Sequence, residues 1–466
     1  MKYFSFILLL CVFNLKAFAQ INYSLTYLDS SISKVKVTIQ LTNEKKSPID
    51  FVMPRSIPGA YGIVNYENFI EELYVIGSDG VRRPMVKYPN GAPRWYFRDS
   101  ILVKQIEYEV DLKNMEKRLA SSDASIVRSG FVGILNYSVF GWIEGTEKMP
   151  IRCSVQTFSN WPIFCSNVPT ASMSTGSFSF SANDYSTLAD GQLFMGTKLR
   201  VKRYEGIVPL FIASYSETAD EYLDDYGKQG TMSLDMLNTY FGELPFKEYS
   251  ILLRKALPLD GVGSMAFGME HLQSSTFLGD TSEYRKGPIS NNQITETIDT
   301  YLHHMAHSFI PLRSYGDNYR PFVKEIPPII NNIWFNEGFM WFVPYQLLHS
   351  NDLRQWFERN CYKANPTIKE MSLQELSQTA SMMYATDFRL GMAVVARGAM
   401  MAIEMNSYLE KKSSGKKSMQ DVIKYIYRWS KDKNRPFELK EFPLLINQAC
   451  GIDLTMIYNK WQLPIK

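Results

Sequence analysis

The sequence predicts a multidomain α+β protein, with a β-rich N-terminal domain, a central α/β domain and a helical C-terminal region. Three observations predict it. From Ile21 to about Val201 apolar residues alternate with polar ones, the period-two pattern of half-buried strands. After about Glu205 the pattern changes, with helix-like spacing from Tyr222 to Tyr240 and then the strand-like Tyr249-Ser250-Ile251-Leu252-Leu253. From Asp352 onward the chain reads as mostly helical. A length of 466 residues leaves room for two or three domains at roughly 100–200 residues each.

Residues 1–19 read as a secretory signal. Lys2 supplies the charge, Phe6 to Phe13 the apolar run, and Ala17-Phe18-Ala19 an A-x-A-type cleavage site before Gln20. The run is too short to span a bilayer, and no later stretch is long and apolar enough. A periplasmic or secreted protein, cleaved near Ala19 and without a transmembrane segment, is expected. Cys11 follows Leu10 rather than a small residue, which disfavours lipid attachment there.

Residues 20–204 are expected to form a β-sandwich-like domain. Val35, Val37, Ile39 and Leu41 alternate with polar residues, as do Ile106, Tyr108, Val110 and Leu112. Turn clusters such as Ser78-Asp79-Gly80 and Pro89-Asn90-Gly91 separate the runs.

Residues 205–350 carry the α/β pattern. Gly261-Val262-Gly263-Ser264 with Ala266 loosely matches G-x-G-x-x-[GA], but neither a strand–turn–helix unit nor a ribose-binding acid accompanies it. A helix is expected from a polar cap near Ser290 to Asn292, with Ile294, Ile298, Tyr301, Leu302 and Met305 on its buried face and Pro311 ending it. After an irregular stretch to about Ile330, Trp334-Phe335-Asn336-Glu337-Gly338-Phe339 opens another helix-like run.

In residues 351–466 the Ala- and Met-rich run from Met392 to Leu409 reads as core filler. A later helix starts at Ser418, with Asp421 as its capping-box partner. Lys411, Lys412, Lys416 and Lys417 mark a solvated loop, and His349 an exposed helix position.

A formal charge of +3 carries no nucleic-acid or membrane footprint. Beyond the signal, Cys153, Cys165, Cys361 and Cys450 permit two disulfides, with Cys153–Cys165 and Cys361–Cys450 keeping each bridge inside one region; four buried free thiols are the alternative.

The chemistry concentrates in Tyr301-Leu302-His303-His304-Met305-Ala306-His307, which holds three of the five histidines. His303 and His307 are one helical turn apart on one face, so both imidazoles can ligate one zinc ion. This is the logic of H-E-x-x-H, except that His304 stands where the glutamate base belongs. A third ligand is needed, and Glu337, thirty residues after His307, is the candidate. Two histidines at a core edge that bind nothing are the bland reading.

His-x-x-x-His followed at this distance by Trp-x-x-Glu-Gly-Phe resembles the glycyl aminopeptidase family of gluzincin zinc peptidases. Gly268-Met269-Glu270-His271 is similar to the family's G-[LM]-E-H segment, whose glutamate holds the free amine of the substrate. Met53-Pro54-Arg55-Ser56-Ile57-Pro58-Gly59-Ala60-Tyr61, with Asn90-Gly91 and Trp95, looks like the family's N-terminal β-domain, and Arg397-Gly398-Ala399 like the start of its C-terminal helical part. The resemblance spans about residues 21–460. It implies a thermolysin-like catalytic-type domain, one zinc ion on His303, His307 and Glu337, and peptide N-termini or small peptides as partners. It implies substrate contacts from Gly268, Met269, Glu270 and His271, with His304 and Glu270 in the catalytic positions.

Two departures bear on activity. The family's glutamate general base is His304 here. The family's Y-x-K-G tyrosine, which would hydrogen-bond the oxyanion, falls on Val395 when the chain is aligned on Arg397-Gly398. The PDZ domain often found after the helical part is not expected. Loss of a general base costs about 10²–10⁴-fold in rate, and loss of an oxyanion donor about 10²–10³-fold. Even the smaller figures leave a poor peptidase. Impaired or absent peptidase activity is therefore expected, with an active aminopeptidase using His304 as base and a metal-free binding scaffold as alternatives.

Overall fold

The computed structural model describes residues 20–57, 59, 61–119, 124–215, 221–255, 267–279, 291–319, 325–384 and 386–465. The signal-like segment, the Gly261–Ala266 run and Ser290 lie outside the described residues.

Alternation in the N-terminal region becomes burial. Val35, Val37 and Ile39 on the strand Lys34–Lys46 are fully buried, as are Ile106 and Val110 on Leu102–Asp111. These two strands pair antiparallel at the middle of a seven-stranded sheet. A five-stranded and a four-stranded sheet complete the region, so its strands divide among three sheets rather than forming a simple two-sheet sandwich. Buried phenols tie the sheets to the segment after Asn136: Tyr23 donates to the Gly141 carbonyl at 3.0 Å, and Tyr108 to that of Val139 at 2.9 Å.

The central sheet has the order Leu199–Tyr204, Leu210–Tyr215, Tyr249–Lys255, Ser274–Gly279, Phe267–Glu270. Its three inner strands run parallel and both outer ones antiparallel. Leu199–Tyr204, the last strand of the alternating N-terminal signal, is hydrogen-bonded into this sheet through Leu210–Tyr215. The helical-spaced run expected at Tyr222 to Tyr240 is the helix Glu221–Phe241. It meets the turn after the histidine helix through Phe241 and Phe309, stacked at 3.8 Å and 9°.

The histidine helix spans Asn291–Ala306, so it ends five residues before Pro311. Bonds of helical type continue past that end, from the His307 amide to the His303 carbonyl at 3.3 Å and from the Ile310 amide to the Ala306 carbonyl at 3.2 Å. Trp334–Phe339 is a π-helical turn that leads into the α-helix Met340–Leu348. His349 is exposed, as expected, but it caps that helix in a left-handed conformation rather than lying within it.

The C-terminal region is helical as expected. Its longest helix, Phe388–Ser413, crosses Trp334–Phe339 at Gly398 and Gly338, where the two backbones touch. Arg397, 1% exposed, binds three carbonyls from this helix: Met371 at 2.8 Å, Trp461 at 3.2 Å and Leu463 at 2.7 Å. The guanidinium thereby clasps the end of the chain to the core. At the next helix the Ser418 amide donates to the Asp421 carboxylate at 2.9 Å, the expected cap.

Cys153, Cys165, Cys361 and Cys450 are free and buried, so the disulfide alternative does not hold. Each is packed as a small apolar group on a different strand or helix. Burial pushes the Cys165 and Cys361 thiols up to about 12.

Candidate metal centre

Three elements converge on the histidines. The histidine helix presents His303 and His304, and the turn that follows it His307; the π-turn presents Glu337; the edge strand Phe267–Glu270 presents Glu270. A π-turn widens the helix by one residue and is frequent at functional sites. Here it lets Gly338 sit flush against Gly398 while Glu337 faces the imidazoles.

His303, His307 and Glu337 form a close triangle. The two Nε2 atoms are 3.1 Å apart, and Glu337 Oε2 lies 3.5 Å from His303 Nε2 and 3.4 Å from His307 Nε2. Zinc bonds of roughly 2.0–2.2 Å at tetrahedral angles require ligand atoms roughly 3.3–3.6 Å apart. The two edges to Glu337 fall in that range and the edge between the histidines is slightly shorter, so the residues approximate one face of a tetrahedral zinc site. Their supports fit as well. His307 Nδ1 is 3.0 Å from the Ile310 carbonyl, which fixes the ring and leaves Nε2 toward the cluster, and the His303 ring stacks on Trp341 at 4.1 Å.

Charge is distributed unevenly. Burial would raise Glu337, but the His307 charge and hydrogen bonds from both histidines hold it well below the usual carboxylate range. His307 stays up at about 9, because the Glu270 and Glu337 carboxylates outweigh its burial. Burial and the neighbouring His307 charge press His303 down to about 4. These shifts favour a cationic His307 beside an ionised Glu337, with His303 neutral.

His304 faces this cluster too. One of its nitrogens is within 4.8 Å of those of His303 and His307, and Nδ1 is 3.9 Å from Glu270 Oε2. Nε2 points to Gly268, where an added Cβ would come within 2.0 Å of it, so the glycine leaves room for the imidazole. Burial, then the charges on His303 and His307, push the His304 pKa well below its ordinary value. As a base it is weak.

The edge strand divides the four residues expected to touch substrate. Successive side chains of a strand point to opposite faces. Gly268 and Glu270 meet the histidine cluster; Met269 and His271 do not. Met269 accepts a hydrogen bond from Tyr137, and His271 stacks on Tyr137 with Nδ1 3.3 Å from Asp190. These two anchor the strand to the N-terminal region. Glu270 is 3% exposed, burial raises its pKa, and its Oε1 has no hydrogen-bond partner among the described residues.

Val395 is buried on the long helix, with its carbonyl against Gly338, one residue from Glu337. The site nevertheless has two phenols that sequence reasoning missed. Tyr61 donates its hydroxyl to Glu337 Oε1 at 2.8 Å. Tyr384 lies beside Tyr61, ring centres 5.6 Å apart, and burial and then the Glu337 and Glu270 charges raise its pKa. Tyr61 lay within a quoted motif, but nothing local linked it to a residue 276 positions away.

Fold and cluster define a multidomain α+β protein with a buried His/His/Glu cluster that could hold a metal ion. Residues 22–197 match the family described as the Peptidase M61 N-terminal domain. Among solved structures, the chain is similar to an aminopeptidase N family protein from Idiomarina loihiensis. The match has a TM-score of 0.80 at 18% identity, over 96% of this chain and 76% of that one. At that identity the likeness is one of fold. A comparison with curated proteins finds no match. At the coarse level, then, the chain is similar to an M61 N-terminal domain over residues 22–197 and shares its fold with an aminopeptidase N family protein.

Proposed function

We propose that the protein is an exported relative of the glycyl aminopeptidases, with a thermolysin-like domain that holds one zinc ion and a peptide N-terminus but hydrolyses peptides poorly or not at all. The observation that carries the reading is the triangle of His303, His307 and Glu337, whose 3.4 and 3.5 Å edges to Glu337 suit a zinc tetrahedron and whose 3.1 Å edge between the histidines is slightly shorter. Bound zinc would supply Lewis-acid polarisation of a carbonyl.

The chain's own residues set the rest. Glu270, buried and with one oxygen that has no hydrogen-bond partner among the described residues, would accept hydrogen bonds from an ammonium group. His304 occupies the base position, but its proton affinity has fallen well below that of a free imidazole. General-base catalysis is most efficient when the pKa lies near the working pH. A base so depressed takes up a proton poorly and has little to deliver to a leaving amine.

A second reading, an active aminopeptidase with His304 as base, is favoured by one observation: His304 Nδ1 faces the cluster, 3.9 Å from Glu270. Zinc content, measured alongside hydrolysis of glycyl and alanyl aminoacyl substrates, separates the readings. One zinc per chain without cleavage supports the impaired peptidase. One zinc with chelator-sensitive cleavage establishes the enzyme. Neither zinc nor cleavage leaves a binding scaffold and overturns the proposal.

A further inference from the structure

We infer that Tyr61, on a loop of the N-terminal sheet region, is a positioning residue for the metal ligand Glu337, so that the metal centre is completed only when that loop is docked. The inference rests on the zinc reading above. It goes beyond that reading in assigning part of the site to a region that supplies no ligand.

Several independent features of the loop point the same way. Glu337 divides its two oxygens: Oε2 faces the imidazoles at 3.4 and 3.5 Å, while Oε1 accepts the Tyr61 hydroxyl at 2.8 Å. A hydroxyl on the second oxygen leaves one oxygen for the metal and fixes the carboxylate plane, as outer partners of metal ligands do. Tyr61 reaches this position with φ at +36°, a conformation costly for any residue with a Cβ. Such conformations persist where the surroundings impose them, and they cluster at functional sites.

The loop is also held ahead of that residue. Before it, Arg55 pairs with buried Glu67 and also donates to the Gly91 carbonyl at 2.6 Å. At the tip, Gly59 lies so close to Glu270 that a Cβ there would come within 2.6 Å of both carboxylate oxygens. The Tyr61 ring rests against Tyr384, and the residue is only 6% exposed. One short loop therefore touches both carboxylates of the cluster, Glu270 through a glycine and Glu337 through a phenol.

The test is zinc affinity, measured by competition with a chromophoric chelator, together with the visible spectrum of the cobalt-substituted protein. Tyr61→Phe keeps the ring and removes the hydroxyl. Its zinc affinity is expected to fall about 10–100-fold, and the cobalt spectrum to change as Glu337 reorients. Tyr88→Phe is the control for general weakening of the region, since Tyr88 donates to Asp50 within the N-terminal sheets; its zinc affinity and cobalt spectrum are expected to match wild type. Gly59→Ala carries the test if Tyr61→Phe does not fold, because it displaces the loop with the phenol intact and is expected to weaken zinc binding similarly. Wild-type zinc binding that Tyr61→Phe leaves unchanged, in affinity and spectrum, overturns this inference alone. A wild-type protein that binds neither zinc nor cobalt overturns the zinc reading and this inference with it.

Discussion

Gly398→Ala is the substitution through which packing and the metal centre can be tested together. Gly398 lies where the helix Phe388–Ser413 crosses the π-turn that carries Glu337. A Cβ there would stand 2.0 Å from the Trp334 carbonyl oxygen, 2.8 Å from the Trp334 carbonyl carbon and 3.1 Å from the Gly338 Cα. All three are backbone atoms, so no side chain can rotate away. The two elements must part by about 1.5 Å before ordinary contact distances return.

Two effects oppose each other. Alanine is the better helix former, by about 1 kcal/mol. Forcing an extra carbon into a closed contact costs about 1–3 kcal/mol, and an obstacle made of backbone belongs at the upper end. The net expectation is a loss of about 1–2 kcal/mol in stability. Glu337 lies between Trp334 and Gly338 in sequence, so the movement reaches its carboxylate. A shift of about 1.5 Å takes Oε2 out of the ligand triangle, and zinc affinity should fall about 10-fold or more. Guanidinium unfolding followed by tryptophan fluorescence reads the first effect, since Trp334 is at the contact. Chelator competition reads the second. A variant as stable as wild type or more so, with unchanged zinc affinity, would refute the argument.

Three other outcomes are expected. Arg397→Met should lower stability by about 3 kcal/mol in the same unfolding assay, because three buried carbonyls lose their donor, while zinc affinity stays at the wild-type value. Zinc at a hundred times its dissociation constant should raise stability by about 2.7 kcal/mol; a chelator should reverse the gain, and His307→Ala should abolish it. The folded protein should resist thiol alkylation at pH 8, since Cys165 and Cys361 are held at about 12. A thiol raised on folding ionises first in the unfolded chain, so stability should decline between about pH 9 and 12 as the pH rises. Rapid labelling of native protein at pH 8, measured by mass spectrometry, would contradict that burial.

Much of the architecture was legible because it rests on local periodicity. Alternation at Val35, Val37 and Ile39 and the helical stripe through Ile298, Tyr301, Leu302 and Met305 are both buried as their spacing requires. The Ser418–Asp421 cap is an interaction over three residues, and it formed. Elsewhere, long-range pairing decides. Leu199–Tyr204 has the same alternating signal as the strands before it, and only its hydrogen bonds to Leu210–Tyr215 assign it to the central sheet. The π-turn at Trp334–Phe339 follows from a backbone crossing with Gly398, a contact no local window contains.

The candidate site divides along the same line. His303 and His307 were linked by helical spacing alone, and Glu337 entered through a resemblance of motifs. That Glu337 comes within 3.5 Å of both imidazoles depends on two helices and a π-turn packing together. Likewise, Gly268-Met269-Glu270-His271 reads as one motif, yet the pleat turns Gly268 and Glu270 to the cluster and Met269 and His271 to the N-terminal region.

By itself, the sequence determined the order of architectures, the helical pair of histidines and the replacement of glutamate by His304, because each is a matter of residue type and spacing along one element. Only the tertiary structure decided which way His304 faces, that the thiols stay free, and that Tyr61 closes on Glu337. Those outcomes depend on which surfaces bury one another across hundreds of residues, and local spacing carries no record of that.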